Sequence, residues 1–294
     1  MLFVTLLSCS GPITNAPILE DQEYVDALPR REQHQLLAGG QADSTSEMEA
    51  LAVSFNTTFE ELLTWVEGVR ALPPTERGED YRIWGPHIAD EDANLYWRVT
   101  IERVEPGRFE WAFGLRDGTD GDWAVFFSGD YLAGFDPSES QGGFFYDLDT
   151  LSASGLSDEA GTIAVEYDYI GEHELYADIL QDGVEGDYWY REEDGLSSAW
   201  FALPLEVYAP DPKVDRPEDY AVAAQWTEDG AGRLESLTTG GDFETMEVFY
   251  TECWDDSGAI VYAYYDCPIC VEPAEGDIAD CVLSEGLDPT DPPD

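Results

Sequence analysis

Trp97-Arg98-Val99-Thr100-Ile101-Glu102, then Glu105-Pro106-Gly107, then Phe109-Glu110-Trp111-Ala112-Phe113-Gly114-Leu115-Arg116 is the stretch that decides the fold. Trp97, Val99 and Ile101 alternate with Arg98, Thr100 and Glu102, and Phe109, Trp111, Phe113 and Leu115 alternate with smaller or charged neighbours. A period of two puts each apolar set on one face of a pleated strand, so the stretch reads as an antiparallel hairpin with one buried face. The same period recurs in Ile163, Val165, Tyr167 and Tyr169, and in Ile260, Tyr262 and Tyr264. Turn-rich breaks punctuate it at Asp117-Gly118-Thr119-Asp120-Gly121, Gln181-Asp182-Gly183 and Glu228-Asp229-Gly230-Ala231-Gly232. From Tyr81 onward roughly a dozen hairpin-joined strands are expected. A twisted sheet of that many strands curls or splits. The expected fold is therefore mainly β (α+β): a large curved antiparallel β-meander, open barrel or sandwich. Both give the same alternation, so the choice between them stays open.

Upstream the period changes to three and four. Ser44-Thr45-Ser46-Glu47 has the spacing of a capping box, and Met48, Leu51, Phe55, Phe59, Leu62, Val66 and Val69 form one stripe that ends before Pro73-Pro74. One long N-terminal amphipathic helix over 44–70, packed on the sheet, is expected. A short helical turn is expected at Asp149 to Ser154. Residues 9–43 carry Pro, Gly, Gln and Asp without periodicity and read as a flexible tether, a coil spanning roughly 30 Å. Residues 44–284 read as a single helix-plus-antiparallel-sheet domain, and 285–294, acidic and rich in Pro, as a disordered tail. Aromatic residues fall on both faces at Tyr188-Trp189-Tyr190 and Phe144-Phe145-Tyr146, so a second layer of helix or loop is expected over part of the sheet.

Composition narrows the function classes. With 13 Phe, 9 Trp and 16 Tyr the chain has ample material for a packed core. It carries 64 acidic against 13 basic residues, a formal charge of −51, and Lys213 is its one lysine. Nucleic-acid binding needs clustered Lys and Arg, so DNA and RNA are not expected partners. An anionic lipid surface repels such a chain, so membrane attachment has to come from another source than a basic patch. A monomer is expected.

Leu6-Leu7-Ser8-Cys9 resembles the lipobox of bacterial lipoproteins. The resemblance implies cleavage before Cys9, acyl chains on that residue, and residues 1–8 as a truncated signal peptide. Eight residues without Lys or Arg are too few for a full leader, so the true start is expected upstream. Ser10 stands where Asp acts as an inner-membrane retention signal in enteric bacteria, which implies the outer membrane. The order of elements is also similar to the half-barrel of periplasmic lipoprotein carriers, in which a curved sheet surrounds helices and a lipid pocket.

Chemistry-bearing motifs are few. Cys253, Cys267, Cys270 and Cys281 are an even set near the C-terminus, which in an oxidising compartment reads as two disulfides with three connectivities. Cys253–Cys281 and Cys267–Cys270 are the expected pairs. A redox reading of Cys267-Pro268-Ile269-Cys270 needs a strand-to-helix turn, and a zinc reading needs a second CxxC. His34, His87 and His173 stand in unrelated contexts, and Gly195-Leu196-Ser197-Ser198-Ala199 runs on into the strand-like Trp200-Phe201 and not into a helix. Asp117, Asp120 and Asp122 are metal candidates outside the EF-hand pattern, which fails because Gly121 stands where an oxygen-bearing side chain is required and Ser128 where Glu is; Asp147 and Asp149 are a second such pair. No cofactor is expected. The chain reads as a membrane-anchored, non-enzymatic binding or surface structural module. A carrier of a lipid or other apolar ligand and a carboxylate-dependent extracytoplasmic hydrolase are the alternatives.

Overall fold

The computed structural model describes residues 19–30, 60, 62–90, 94–135, 139–170, 173–181, 184–205, 217–243, 245–268 and 273–290. Its strands are β1 (Glu76–Arg77), β2 (Tyr81–Asp90), β3 (Leu95–Glu105), β4 (Arg108–Asp117), β5 (Ala124–Ala133), β6 (Ser140–Asp147) and β7 (Gly161–Asp168), followed by β8 (His173–Gln181), β9 (Val184–Glu193), β10 (Leu196–Leu205), β11 (Glu218–Thr227), β12 (Gly232–Gly240), β13 (Val248–Trp254), β14 (Ile260–Asp266) and β15 (Glu275–Gly276). They form one antiparallel meander in chain order, not closed into a barrel. Three short helices accompany it: α1 (Leu19–Asp26), α2 over 62–70, and α3 (Leu148–Ala153), the last where the helical turn is expected. No helix among the described residues is long and apolar enough to cross a membrane. The chain reads as one domain over 44–284, yet its contacts divide into two compact units, one built on β1–β7 and the other on β8–β15.

In the first unit the alternation is realised as expected. Trp97, Val99 and Ile101 of β3 and Phe109, Phe113 and Leu115 of β4 are all at most 2% exposed, and Ile163, Val165 and Tyr167 of β7 are buried as well. α2 lies on this inner face. Leu62, Leu63, Val66 and Val69 are buried, and the Trp65 ring meets Trp97, Phe113 and Phe126 at centroid distances of 5.5, 5.4 and 5.3 Å. The long helix expected over 44–70 is not supported. Helix is seen at 60 and 62–70, while Met48, Leu51, Phe55 and Phe59 lie outside the described residues.

Residues 19–30, inside the stretch that reads as a tether, are packed. Tyr24, Val25, Ala27 and Leu28 are buried, Tyr24 meets Phe109 edge-on at 5.3 Å, and Arg70 donates to the Leu28 and Pro29 carbonyls. The anchor is Asp21, which is fully buried and accepts from Arg82 Nε at 2.7 Å and Arg77 Nη2 at 2.9 Å. Arg82 in turn lies 4.3 Å over the Tyr24 ring. Burial pushes the Asp21 carboxyl upward, but the hydrogen bonds and charges of Arg77 and Arg82 outweigh it and hold it below the usual carboxylate range. An acidic, aperiodic segment thus packs because two arginines far along the chain wait for its carboxylate.

The second unit packs on both faces. Tyr188, Trp189 and Tyr190 of β9 are buried in succession, and so are Ala199, Trp200 and Phe201 of β10 and Val222, Ala223 and Ala224 of β11. Trp189, Trp200 and Ala223 form a cluster on one face, with Leu287 packed against it. Trp200 Nε1 donates to the Pro289 carbonyl at 3.1 Å, and Arg233 Nη1 to the Ser284 carbonyl at 2.9 Å. The tail expected to be disordered over 285–294 is therefore docked as far as it is described, with Pro289 buried. It supplies the covering layer that the doubled aromatic face demands.

Candidate functional site

The outer face of β3 and β4 carries Tyr96, Arg98, Ala112, Gly114 and Arg116, the residues that alternate with the buried set. Arg98 is paired with Gly114, and Tyr96 with Arg116. Between β4 and β5 the register slips: Phe113 faces Phe127 but Gly114 faces Val125, leaving Phe126 as an extra residue. A bulge of this kind reverses the facing of the residues beyond it. Phe126 and Phe127 are both buried, while Val125 is 46% exposed on the outer face. Trp123, two residues before Val125, then lies over Gly114, its ring 3.4 Å from where a Cβ would stand.

Two guanidinium groups close on this indole. Arg98 and Arg116 each lie 4.5 Å from the Trp123 ring, and Arg116 also lies 5.9 Å from Tyr96. Every other described arginine has a carboxylate within ion-pair distance. Among the described residues Arg98 and Arg116 have none, and the buried Nε of Arg116 has no hydrogen-bond partner. Burial first, and then the charge of Arg116, hold Arg98 below the ordinary arginine range, though it stays protonated at physiological pH. Further along the same face runs an open groove of about 930 Å³, lined among others by Glu76, Glu102, Glu110, Ala112, Val125 and Asp130. The outer face is thus divided by charge, acidic along the groove and basic at Arg98 and Arg116. Its basic end has the donors to take up an anion.

The residues singled out in the sequence are dispersed. Cys253 and Cys281 are bonded, S–S 2.20 Å. Cys267 is disulfide-bonded too, while Cys270 and Cys9 lie outside the described residues. Asp117, Asp120 and Asp122 are exposed in the turn that leads into Trp123, and among the described residues no three His, Cys, Asp or Glu side chains converge for a metal ion. Asp147 caps α3 by accepting from Thr150, and Asp149 accepts from the Gly161 amide, so both serve local structure. His87 is partly buried against Trp97, His173 is 3.8 Å from Glu192, and His34 lies outside the described residues.

Among the described residues three carboxylates are buried: Asp21, Glu218 and Glu252. Asp21 is spent on arginines. Glu218 and Glu252 face Gly240 and Leu234, six residues apart on β12. That is about 20 Å along the strand, too far for a pair to share one glycosidic bond. Arg98, Arg116 and Trp123 were not among the residues the motifs mark. Their signal is the scarcity of basic side chains, three of which, Arg98, Arg108 and Arg116, stand on the outer face of one hairpin. Comparison with models of known protein families, with curated proteins and with solved structures finds no match.

Proposed function

We propose that the protein is a membrane-anchored extracytoplasmic lipoprotein, lipid-modified at Cys9 and held at the outer membrane, whose β-meander works as a non-enzymatic binding module. The charge-divided outer face of β2–β5 is its binding surface. The observation that carries this reading is the pair of arginines close over Trp123 that have no carboxylate partner among the described residues, in a chain of charge −51. A side chain that could find an acidic partner almost anywhere is kept from one, which is what a surface reserved for a ligand requires. The Cys253–Cys281 bond supports an oxidising compartment, and the resemblance of Leu6-Leu7-Ser8-Cys9 to a lipobox supports the anchor. The inner face of the first unit is filled by Trp65, Trp97, Phe113 and Phe127, which favours a ligand on the outer face over a lipid held inside. Detergent phase partition tests the anchor. The expressed chain partitions with the detergent and the Cys9→Ser variant with the aqueous phase; equal partition of the two contradicts the proposal.

A further inference from the structure

The geometry points to a phosphate site on the outer face of the β3–β4 hairpin, in which Arg98 and Arg116 together take the dianion of a phosphate or phosphate monoester and Trp123 holds both arginines in place. It rests on the binding-module reading and names the ligand class of that surface. Each guanidinium offers a planar fork of donors, and two neighbouring forks present more donors than the two oxygens of one carboxylate can accept. A phosphate dianion has three terminal oxygens and the charge to balance two arginines. Stacking uses the faces of the guanidinium groups and leaves their edges for hydrogen bonds, and neither Arg98 nor Arg116 makes a hydrogen bond to any described residue.

The charge of Arg116 is unfavourable for Arg98, which shares the Trp123 ring with it, and an anion that meets both guanidinium groups relieves that repulsion. Asp117 and Asp122, next in sequence to Arg116 and Trp123, oppose binding, while the charges further off are screened over about 8 Å at physiological salt. The aromatic flank and the open groove beyond it leave room for the organic part of an ester.

Titration of the full chain by calorimetry at physiological ionic strength, with phosphate replacing chloride, tests the site. Saturable phosphate binding is expected, with a chemical-shift change at the Trp123 indole N–H. Arg98→Gln and Arg116→Gln each weaken it by at least about tenfold, as loss of a charge-assisted contact implies, while Arg191→Gln, on β9 of the second unit, leaves it unchanged. Arg98→Lys and Arg116→Lys, which keep the charge and lose the fork, bind with intermediate strength; a purely structural role would leave affinity at the wild-type value in every folded variant. Glycerol 3-phosphate binding more tightly than inorganic phosphate assigns the ester, and equal affinity assigns the free anion. Sedimentation with vesicles containing phosphatidic acid, lost in Arg116→Gln, assigns a lipid headgroup. An isotherm no different from that of chloride, with the Trp123 indole resonance unmoved, overturns the assignment. Cys9-dependent detergent partition is read separately, so that result would leave the anchor standing.

Discussion

Asp21 shows what one buried carboxylate does in this molecule. It is fully buried, its neighbour Arg82 is 7% exposed at the side chain, and the third member, Arg77, is 40% exposed. Removing one member of a buried ion pair leaves an uncompensated charge and costs about 3–5 kcal/mol; here the half-exposed Arg77 puts the expected loss near the lower end. Asp21→Asn is therefore expected to lower unfolding free energy by about 3 kcal/mol in urea at pH 7. The sign with pH follows from the direction of its shift. The folded carboxyl titrates below its usual value of 3.8, so at acid pH the unfolded chain binds the proton first. The stabilisation is complete above that value and is lost as pH falls through the lower, folded one. The stability gap between wild type and Asp21→Asn should thus close in strong acid; a gap that stays constant between pH 7 and pH 2 would show that the ion pair is not its source.

At the scale of elements, the strands were legible and the segments that cover them were not. Trp97-Val99-Ile101 and Phe109-Phe113-Leu115 alternate because one face of each strand meets the core, and a period of two needs no knowledge of the partner. α1 is different. Its residues Glu20, Asp21 and Glu23 read as a solvated stretch, and the partners of Asp21 stand 56 and 61 residues away. The bulge at Phe126 is equally hidden, because Val125-Phe126-Phe127 breaks alternation without saying which residue is the extra one. Trp123 reaches Arg98 and Arg116 only through that slip.

The C-terminal segment was misread for its composition, since Pro and Asp dominate it while it is Leu287 and the Pro289 carbonyl that meet the aromatic cluster. The Cys253–Cys281 bond, closing a separation of 28 residues, fixes the start of this segment beside β13; by chain entropy a loop of that size contributes about 3.5 kcal/mol. Leu287→Ala, which removes a partly buried side chain from Trp189 and Trp200, is expected to cost about 1–2 kcal/mol and to speed proteolysis after 283. Unchanged proteolysis would mean that the segment is held by the disulfide alone.

For the molecule as a whole, charge sets the conditions under which the fold is stable. With 64 acidic residues against 13 basic ones, most carboxylates face one another with no cation to pair with, and self-repulsion weakens the folded state. Added salt shortens the screening length from about 10 Å at 0.1 M to about 3 Å at 1 M. The melting temperature is therefore expected to rise with sodium chloride over that range, by scanning calorimetry, and a flat or falling curve would contradict a fold strained by its own charge. The ion pairs of Asp21 are buried and should be little affected.

We propose a β-meander held at a membrane by acyl chains on Cys9 that offers its outer face to an anion. The measurement that bears on it most directly is the mass of the N-terminal peptide of the protein recovered from membranes. The account predicts a chain that begins at Cys9 and carries a diacylglyceryl group on its sulfur and an acyl group on its amine. A peptide that runs through Ser8 into a Cys9 with an unmodified thiol would contradict it.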